Sequence, residues 1–289
     1  MKRAPALSLL TGFLITGTSL VLLPGSAHAA ASLLSGFGGP KGFGTDSVFR
    51  NDDSGVGPIA LPFAINFYGT TYNNYYANTN GNITFQSVFG TFTPSFFPGA
   101  PQPIIAPWWA DVDTREGSNA PGSTGDEGLV WYTNPDANTT VVTWNNVGYF
   151  AARNPPSNNF QLVLRNLAPT TGTAGDFSFE FRYNDLNWTT GEASGGNPQG
   201  LGGTPAVAGY DSGNGTNFYT IPGSETADVL NLVNTSNVGQ AGIWRFEVRN
   251  GQVVPPDGGS SVPGPMPLLG VGATFAWSRR LRKRISVSA

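Results

Sequence analysis

The sequence predicts an all-β protein: one antiparallel β-sandwich-like domain in the middle of a 289-residue chain, with short segments of another character at each end. Three observations lead there. Apolar residues recur with period two, which sends one row of side chains to a buried face and the other to solvent. No segment longer than ten residues carries a 3.6-residue apolar period, and Ala227–Val233 has room for one short helix at most. Gly (39) and Pro (23) punctuate the chain often enough for many short strands, yet stay below the roughly 25–30% at which disorder is expected.

In chain order, strands are expected at Pro62–Tyr68, Tyr75–Asn78 and Asn82–Gln86. Asn80-Gly81 between the last two marks a hairpin, because both residues tolerate positive φ. Ile104–Asp111, Leu129–Thr133 and Thr139–Val147 follow, then a strand in which Phe160, Leu162 and Leu164 recur at period two. Phe177, Phe179, Phe181 and Tyr183 alternate with Ser178, Glu180, Arg182 and Asn184. Ala206–Tyr210 comes next, and last Trp244, Phe246 and Val248 interleave with Arg245, Glu247 and Arg249. Trp108-Trp109 sends one indole to each face of its strand. Trp144, Trp188 and Trp244 read as packing residues.

The ends carry targeting chemistry. Lys2 and Arg3 precede an apolar stretch from Ala6 to Leu23, then Pro24-Gly25 and the small-residue site Ala27-His28-Ala29. That order predicts a signal peptide over residues 1–29, with Ala27 and Ala29 setting the cleavage site. The β domain then occupies 30–254 and a Pro/Gly/Ser linker 255–262. Residues 263–285 hold Pro263-Gly264-Pro265, an apolar run from Pro267 to Trp277 and the cations Arg279, Arg280, Arg282, Lys283 and Arg284, with a tail at 286–289. The run is shorter than the roughly 20 apolar residues of a comfortable transmembrane helix, and the cations would hold its end at the cytoplasmic face. In layout it resembles the PEP-CTERM sorting signal of bacterial surface proteins, in a cyanobacterium-like variant with Gly264 where that family usually has Glu. The resemblance implies a C-terminal hydrophobic sorting helix that meets the membrane only transiently and an exosortase-type enzyme as processing partner. It also implies delivery to the cell surface or extracellular matrix of a Gram-negative-type bacterium. The alternative is a weak C-terminal membrane anchor.

Composition excludes several chemistries. The chain has no Cys, its one His is His28, and its two Met are Met1 and Met266. Residues 30–262 therefore cannot supply a Ser-His-Asp or Cys-His nucleophilic site, a His- or Cys-ligated zinc, or a disulfide. A region of about 230 residues can instead be held by its core. The same region has eight Lys and Arg against all 18 Asp and Glu, a net charge of −10, with Lys41 its one lysine. Phosphate contacts need Lys and Arg, so nucleic acid is not expected as a partner.

A series of blocks runs through the middle. Phe67-Tyr68-Gly69 leads into Tyr75-Tyr76-Ala77-Asn78-Thr79-Asn80-Gly81-Asn82-Ile83-Thr84-Phe85. Ile104-Ile105-Ala106-Pro107-Trp108-Trp109-Ala110-Asp111-Val112-Asp113 and Gly128-Leu129-Val130-Trp131-Tyr132 follow. Then come Asn159-Phe160-Gln161-Leu162, Leu186-Asn187-Trp188-Thr189-Thr190-Gly191 and Pro205-Ala206-Val207-Ala208-Gly209-Tyr210. From about Leu61 to Val248 this order resembles the NIDO domain, the extracellular module of nidogen, alpha-tectorin and cell-surface mucins. The resemblance implies a non-catalytic binding or matrix module in cell–matrix adhesion, and it carries over no ligand residues, no catalytic residues and no cofactor.

The acidic stretch Asp111, Asp113, Glu116, Asp126 and Glu127 is the strongest candidate site. Asp111 and Asp113, two apart at a strand end, are expected to point the same way, and the following loop could bring in Asp126 or Glu127. Convergent oxygens are what Ca²⁺ needs, so Asp111, Asp113, Asp126 and Glu127 are candidate calcium ligands. Equally, Asp111 or Asp113 could pair with Arg115 or cap loop N–H groups. Read as a glycosidase pair, the carboxylates would be joined by Trp108, Trp109, Trp131 and Trp188 exposed for sugar stacking; no enzyme is expected, since such pairs are rare among loop acids. The Gly-rich run Gly191–Gly203 lacks a phosphate loop's Gly-Lys-Ser/Thr ending and is expected to pass close to other backbone. These readings converge on an exported surface or matrix protein that binds polysaccharide or a surface protein. The alternatives are a calcium-dependent carbohydrate-binding module and a purely structural matrix component.

Overall fold

The computed structural model describes residues 30–115 and 125–254. The expected signal peptide with Ala27 and Ala29, Glu116, the linker, and the sorting segment with Pro263, Gly264, Pro265, Arg279, Arg280, Arg282, Lys283 and Arg284 lie outside the described residues.

The strands in chain order are β1 (Asp46–Ser47), β2 (Gly55–Phe67), β3 (Thr70–Asn78), β4 (Asn82–Thr84), β5 (Ile104–Trp109), β6 (Val112–Asp113), β7 (Leu129–Asp136), β8 (Thr139–Tyr149), β9 (Arg153–Asn166), β10 (Phe177–Asp185), β11 (Val207–Asp211), β12 (Phe218–Thr220), β13 (Ile243–Arg249) and β14 (Gln252–Val254). One helical turn, α1 (Ala168–Thr171), links β9 to β10, and 3₁₀ turns form at Glu192–Ser194 and Ala227–Val233. The second is the one short helix the sequence allowed. Among the described residues, no helix is long and apolar enough to cross a membrane.

All pairings are antiparallel, and they make two sheets. The larger runs β1-β7-β8-β9-β10-β13-β14, with β6 added beside β8, and the smaller runs β12-β11-β5-β4-β3-β2. Period two decides what lies between them. Phe177, Phe179, Phe181 and Tyr183 of β10 and Trp244, Phe246 and Val248 of β13 share one core with Ile65, Phe67, Tyr75, Ile83, Ile105 and Trp108 of the smaller sheet. Each large side chain so buried contributes about 1.5–3 kcal/mol, which a chain without cross-links requires.

The outer faces are drier than alternation alone suggests. On β10 the interleaved Ser178 and Glu180 are buried as well. The segment before β1 covers part of this face: Gln161 takes a hydrogen bond from Leu34 N and returns one to Leu34 O, both at 2.9 Å, and Arg182 Nε donates to Ser32 O. On the smaller sheet, the β4–β5 loop folds Phe89, Phe97 and Ala100 over Trp109, Ile104, Ala106 and Val207 in a second apolar cluster. Trp108 and Trp109 do point to opposite faces, and both are buried, Trp109 donating through Nε1 to Thr91 O at 2.7 Å.

The Asn80-Gly81 hairpin forms, but with only one of its residues at positive φ. Gly81 has φ +74°, and a Cβ there would strike the Trp108 carbonyl. Asn80 is fully buried and serves through its side chain, described next.

Candidate functional site

Three chain reversals meet at one edge of the sandwich: the turn between β1 and β2, the β3–β4 hairpin, and the step from β5 to β6. Each is held by short polar side chains. Thr79 Oγ1 hydrogen-bonds Asp52 O and Ser54 O, both at 2.8 Å, and Thr79 N donates to Ser54 O. Thr114 Oγ1 accepts from Asn51 N and donates to Asn51 O. Asn80 ties all three together, since its Nδ2 donates to Asp53 Oδ1 at 2.9 Å and its Oδ1 accepts from Val112 N at 3.0 Å.

These clamps bring Asp52, Asp53 and Asp111 together, one oxygen of each within 4.8 Å of the others. Asp111 occupies the step itself, where the chain leaves the smaller sheet at the end of β5 and joins the larger one as β6. It is 1% exposed, and neither of its carboxylate oxygens has a hydrogen-bond partner among the described residues. Asp52 Oδ1 is buried and unpartnered too, while Asp53 stands at the surface. Burial first, then the charges of Asp53, Asp52 and Asp113, push the Asp111 carboxyl up to about 7, against the pull of Arg115. Asp52 is pushed up to about 6 by burial and by Asp113 and Asp53.

The remaining wall is Gly191, the first residue of the Gly-rich run. A Cβ there would collide with the Asp111 carboxylate, so glycine is what lets this loop close over it. The expected approach to other backbone is seen at Gly196 and Gly203, where a Cβ would meet the Thr190 carbonyl and the Gly195 backbone, while at Gly200 it would meet the Trp188 and Tyr149 side chains.

Of the expected calcium ligands, only Asp111 is in this cluster. The sheet switch breaks the strand parity that was to align Asp113 with it. Asp113 instead accepts from Arg115 N, Nε and Nη2 at 3.0, 2.8 and 2.5 Å and from Ala152 N at 2.9 Å. The pairing with Arg115 that the sequence left open is therefore made, by Asp113. Arg115 Nη2 also reaches Asp52 Oδ2 at 3.0 Å, and its guanidinium lies 5.9 Å from the Phe150 ring centroid. Glu127 forms an ion pair with Lys41 and accepts from Asn146 Nδ2 at 2.6 Å. The charge of Asp126 acts on Arg50, whose guanidinium holds the carbonyls of Thr114, Gly125 and Glu127. Trp108, Trp109, Trp131 and Trp188 are all buried, at 0, 1, 4 and 0% exposure, so none is a stacking platform for sugar. Asp52 and Asp53 were missed, although Asn51-Asp52-Asp53-Ser54-Gly55 is an acidic pair in a turn-forming run just ahead of a strand.

Comparison with known proteins gives a consistent set. The nidogen-like domain, NIDO, matches residues 73–250. Alpha-tectorin of Homo sapiens is 35% identical over 228 residues, covering 73% of this chain and 10% of that protein. Nidogen of Drosophila melanogaster is 32% identical over 224 residues (71% of this chain, 16% of that protein), and nidogen-1 of Homo sapiens 28% over 237 (70% and 18%). The chain thus spans less than a fifth of the length of these relatives. No solved structure matches it. The match begins inside β3, so Asp111 falls within it while Asp52 and Asp53 do not.

Proposed function

The chain belongs to the nidogen-like domain family, and from that premise we propose that it is an exported, non-catalytic protein of the bacterial cell surface or extracellular matrix, acting in adhesion. The observation that carries this reading is the family match itself, which spans both sheets from β3 to the end of β13. Extracellular display is supported further by the n-region, apolar stretch and Ala27-His28-Ala29 site at one end of the sequence. The bacterial setting and the exosortase-type partner rest on the layout of residues 263–285. The ligand we propose is extracellular polysaccharide or a matrix protein.

With the four tryptophans buried, contact would fall to exposed rings instead. Phe49 and Phe96 are 61% and 71% exposed. Phe96 borders a cleft lined by Pro94, Thr204, Pro205, Val207 and Glu225, and an exposed aromatic beside a cleft suits either a sugar ring or a partner side chain.

The test is to express the full chain in a bacterium with an exosortase-type system, fractionate the culture and weigh the product intact. The expected result is a surface or matrix protein lacking residues 1–29 and the sorting segment, and retained on the host's polysaccharide. Phe96→Ala should weaken that retention several-fold while leaving the circular dichroism spectrum unchanged. A full-mass product confined to the cytoplasm would overturn export, and a surface product that no matrix component retains would overturn adhesion.

A further inference from the structure

We propose that Asp52, Asp53 and Asp111 bind calcium, and that the ion fastens the turn entering β2 to the point where the chain switches sheets. Two independent features point there. One is the convergence of three carboxylates from two separate turns within 4.8 Å. The other is Asp111 itself: 1% exposed, with both oxygens unpartnered among the described residues. Protein interiors leave few polar atoms unsatisfied, and a buried carboxylate is ordinarily paired or coordinated to a metal.

Among the described residues, no counter-charge is sufficient for this group. Asp52, Asp53, Asp111 and Asp113 gather round one guanidinium, Arg115, whose donors go to Asp113 and Asp52. Asp53 Oδ1 holds Asn80, and Asp52 Oδ2 holds Arg115. Among the described residues, four carboxylate oxygens are then left for an ion: Asp52 Oδ1, Asp53 Oδ2 and the pair on Asp111.

An all-oxygen, strongly anionic set selects a hard cation. Ca²⁺ accepts six to eight oxygens in an irregular shell, whereas Mg²⁺ demands a near-ideal octahedron and gives up its water reluctantly. Carboxylates presented by turns rather than by one rigid element suit the former, with water completing the shell on the side where Asp53 meets solvent. Asp111 lies within the span that the family model matches, and Asp52 and Asp53 precede it.

The experiment uses the purified full chain, stripped with EDTA, titrated with CaCl₂ by calorimetry and followed by thermal unfolding. We expect saturable one-site heat and a rise in Tm of about 5–10 °C at a hundredfold excess over Kd. Asp111→Asn should weaken binding at least tenfold. Asp53→Asn, which keeps the Oδ1 that accepts from Asn80 Nδ2, should do the same, and Glu127→Gln should bind like the parent. No heat and an unmoved Tm for the parent would overturn the site, as would parental affinity in both Asp53→Asn and Asp111→Asn. An equal response to MgCl₂ would overturn the assignment to calcium. No polysaccharide enters the assay, so its outcome is separate from that of the adhesion reading.

Discussion

Two buried carboxylates in this molecule live under opposite conditions. Glu180, on β10, has a side chain 3% exposed, yet both its oxygens are taken. Arg182, two residues along the same strand face, donates to Oε1 at 2.5 Å, and Arg245, its direct partner across the β10–β13 ladder, donates to Oε2 through Nε at 2.8 Å and through Nη2. Sheet regularity supplies that arrangement, because period two and antiparallel register put all three side chains on one face. Asp111 is equally buried but sits off the ladder, at a step between sheets, facing three more carboxylates. A charge kept for stability is paired by its own scaffold. One left unpaired inside a set of like charges costs the fold free energy, and it points to a function elsewhere.

Breaking the paired site should have the largest effect. Glu180→Ala leaves Arg182 and Arg245 without their acceptor and should cost about 3 kcal/mol, the lower end for a buried pair because Arg245 is half exposed. Urea unfolding measures the loss, and the calcium response should survive it. Next comes the wall of the acidic site. Gly191→Ala sets a methyl group against the Asp111 carboxylate, so a stability loss of about 1–2 kcal/mol from overpacking is expected. It should come with at least tenfold weaker calcium binding, where a merely structural glycine would leave affinity unchanged.

Which parts of this were legible in the sequence follows from the same contrast. Strands with long alternating runs, β10 and β13 above all, were readable because periodicity is a local property. β1, β6, β12 and β14, of two or three residues each, were not, since so short a strand exists only through its neighbours. The half-wet faces expected for β10 turned out dry, because burial of Ser178 and Glu180 depends on tertiary covering that alternation does not encode. The acidic site was half legible. Asp111 stood out, but Asp113 and Glu127 were grouped with it by proximity in sequence, and the chain turns between them. Asp52 and Asp53 arrive from a turn nearly sixty residues upstream in the chain, placed by Asn80 and Thr79, and no spacing rule joins them to Asp111.

A subtler break in the comparison comes from neutralising Asp111 in the absence of metal. With EDTA present at pH 7.5, Asp111→Asn should raise stability by about 1 kcal/mol, recovering part of the penalty of an uncompensated buried group. Removing a paired charge does the reverse. The parent's pH dependence carries the same sign. Asp111 titrates at about 7 in the fold, raised by burial and by Asp53, Asp52 and Asp113 against Arg115, and from an ordinary value near 3.8 when unfolded. The folded state therefore binds the extra proton between those values, and the metal-free chain should gain stability as pH falls from about 7 toward 4. Asp52, raised to about 6, adds to the trend. Saturating calcium should remove the gain, because the ion holds the ionised form; a pH series of melts with and without EDTA reads both.

Glu127 gives the smallest effect and the control for all the others. Burial works to raise its carboxyl, but hydrogen bonds from Lys41 and Asn146 outweigh it and hold the group below its ordinary 4.5. The fold therefore draws stability from its ionised form above that value and loses it as pH drops through the depressed one, opposite in sign to Asp111. The pair with Lys41 is partly exposed, at 22% and 26% for the two side chains, so Glu127→Gln should cost under about 1 kcal/mol. It should flatten only the acid end of the stability profile and leave the slope between pH 4 and 7 in place. If Glu127→Gln instead removed that slope or the calcium response, the carboxylates of this edge would act as one electrostatic unit, and the assignment of the ion to Asp52, Asp53 and Asp111 would have to widen to include it.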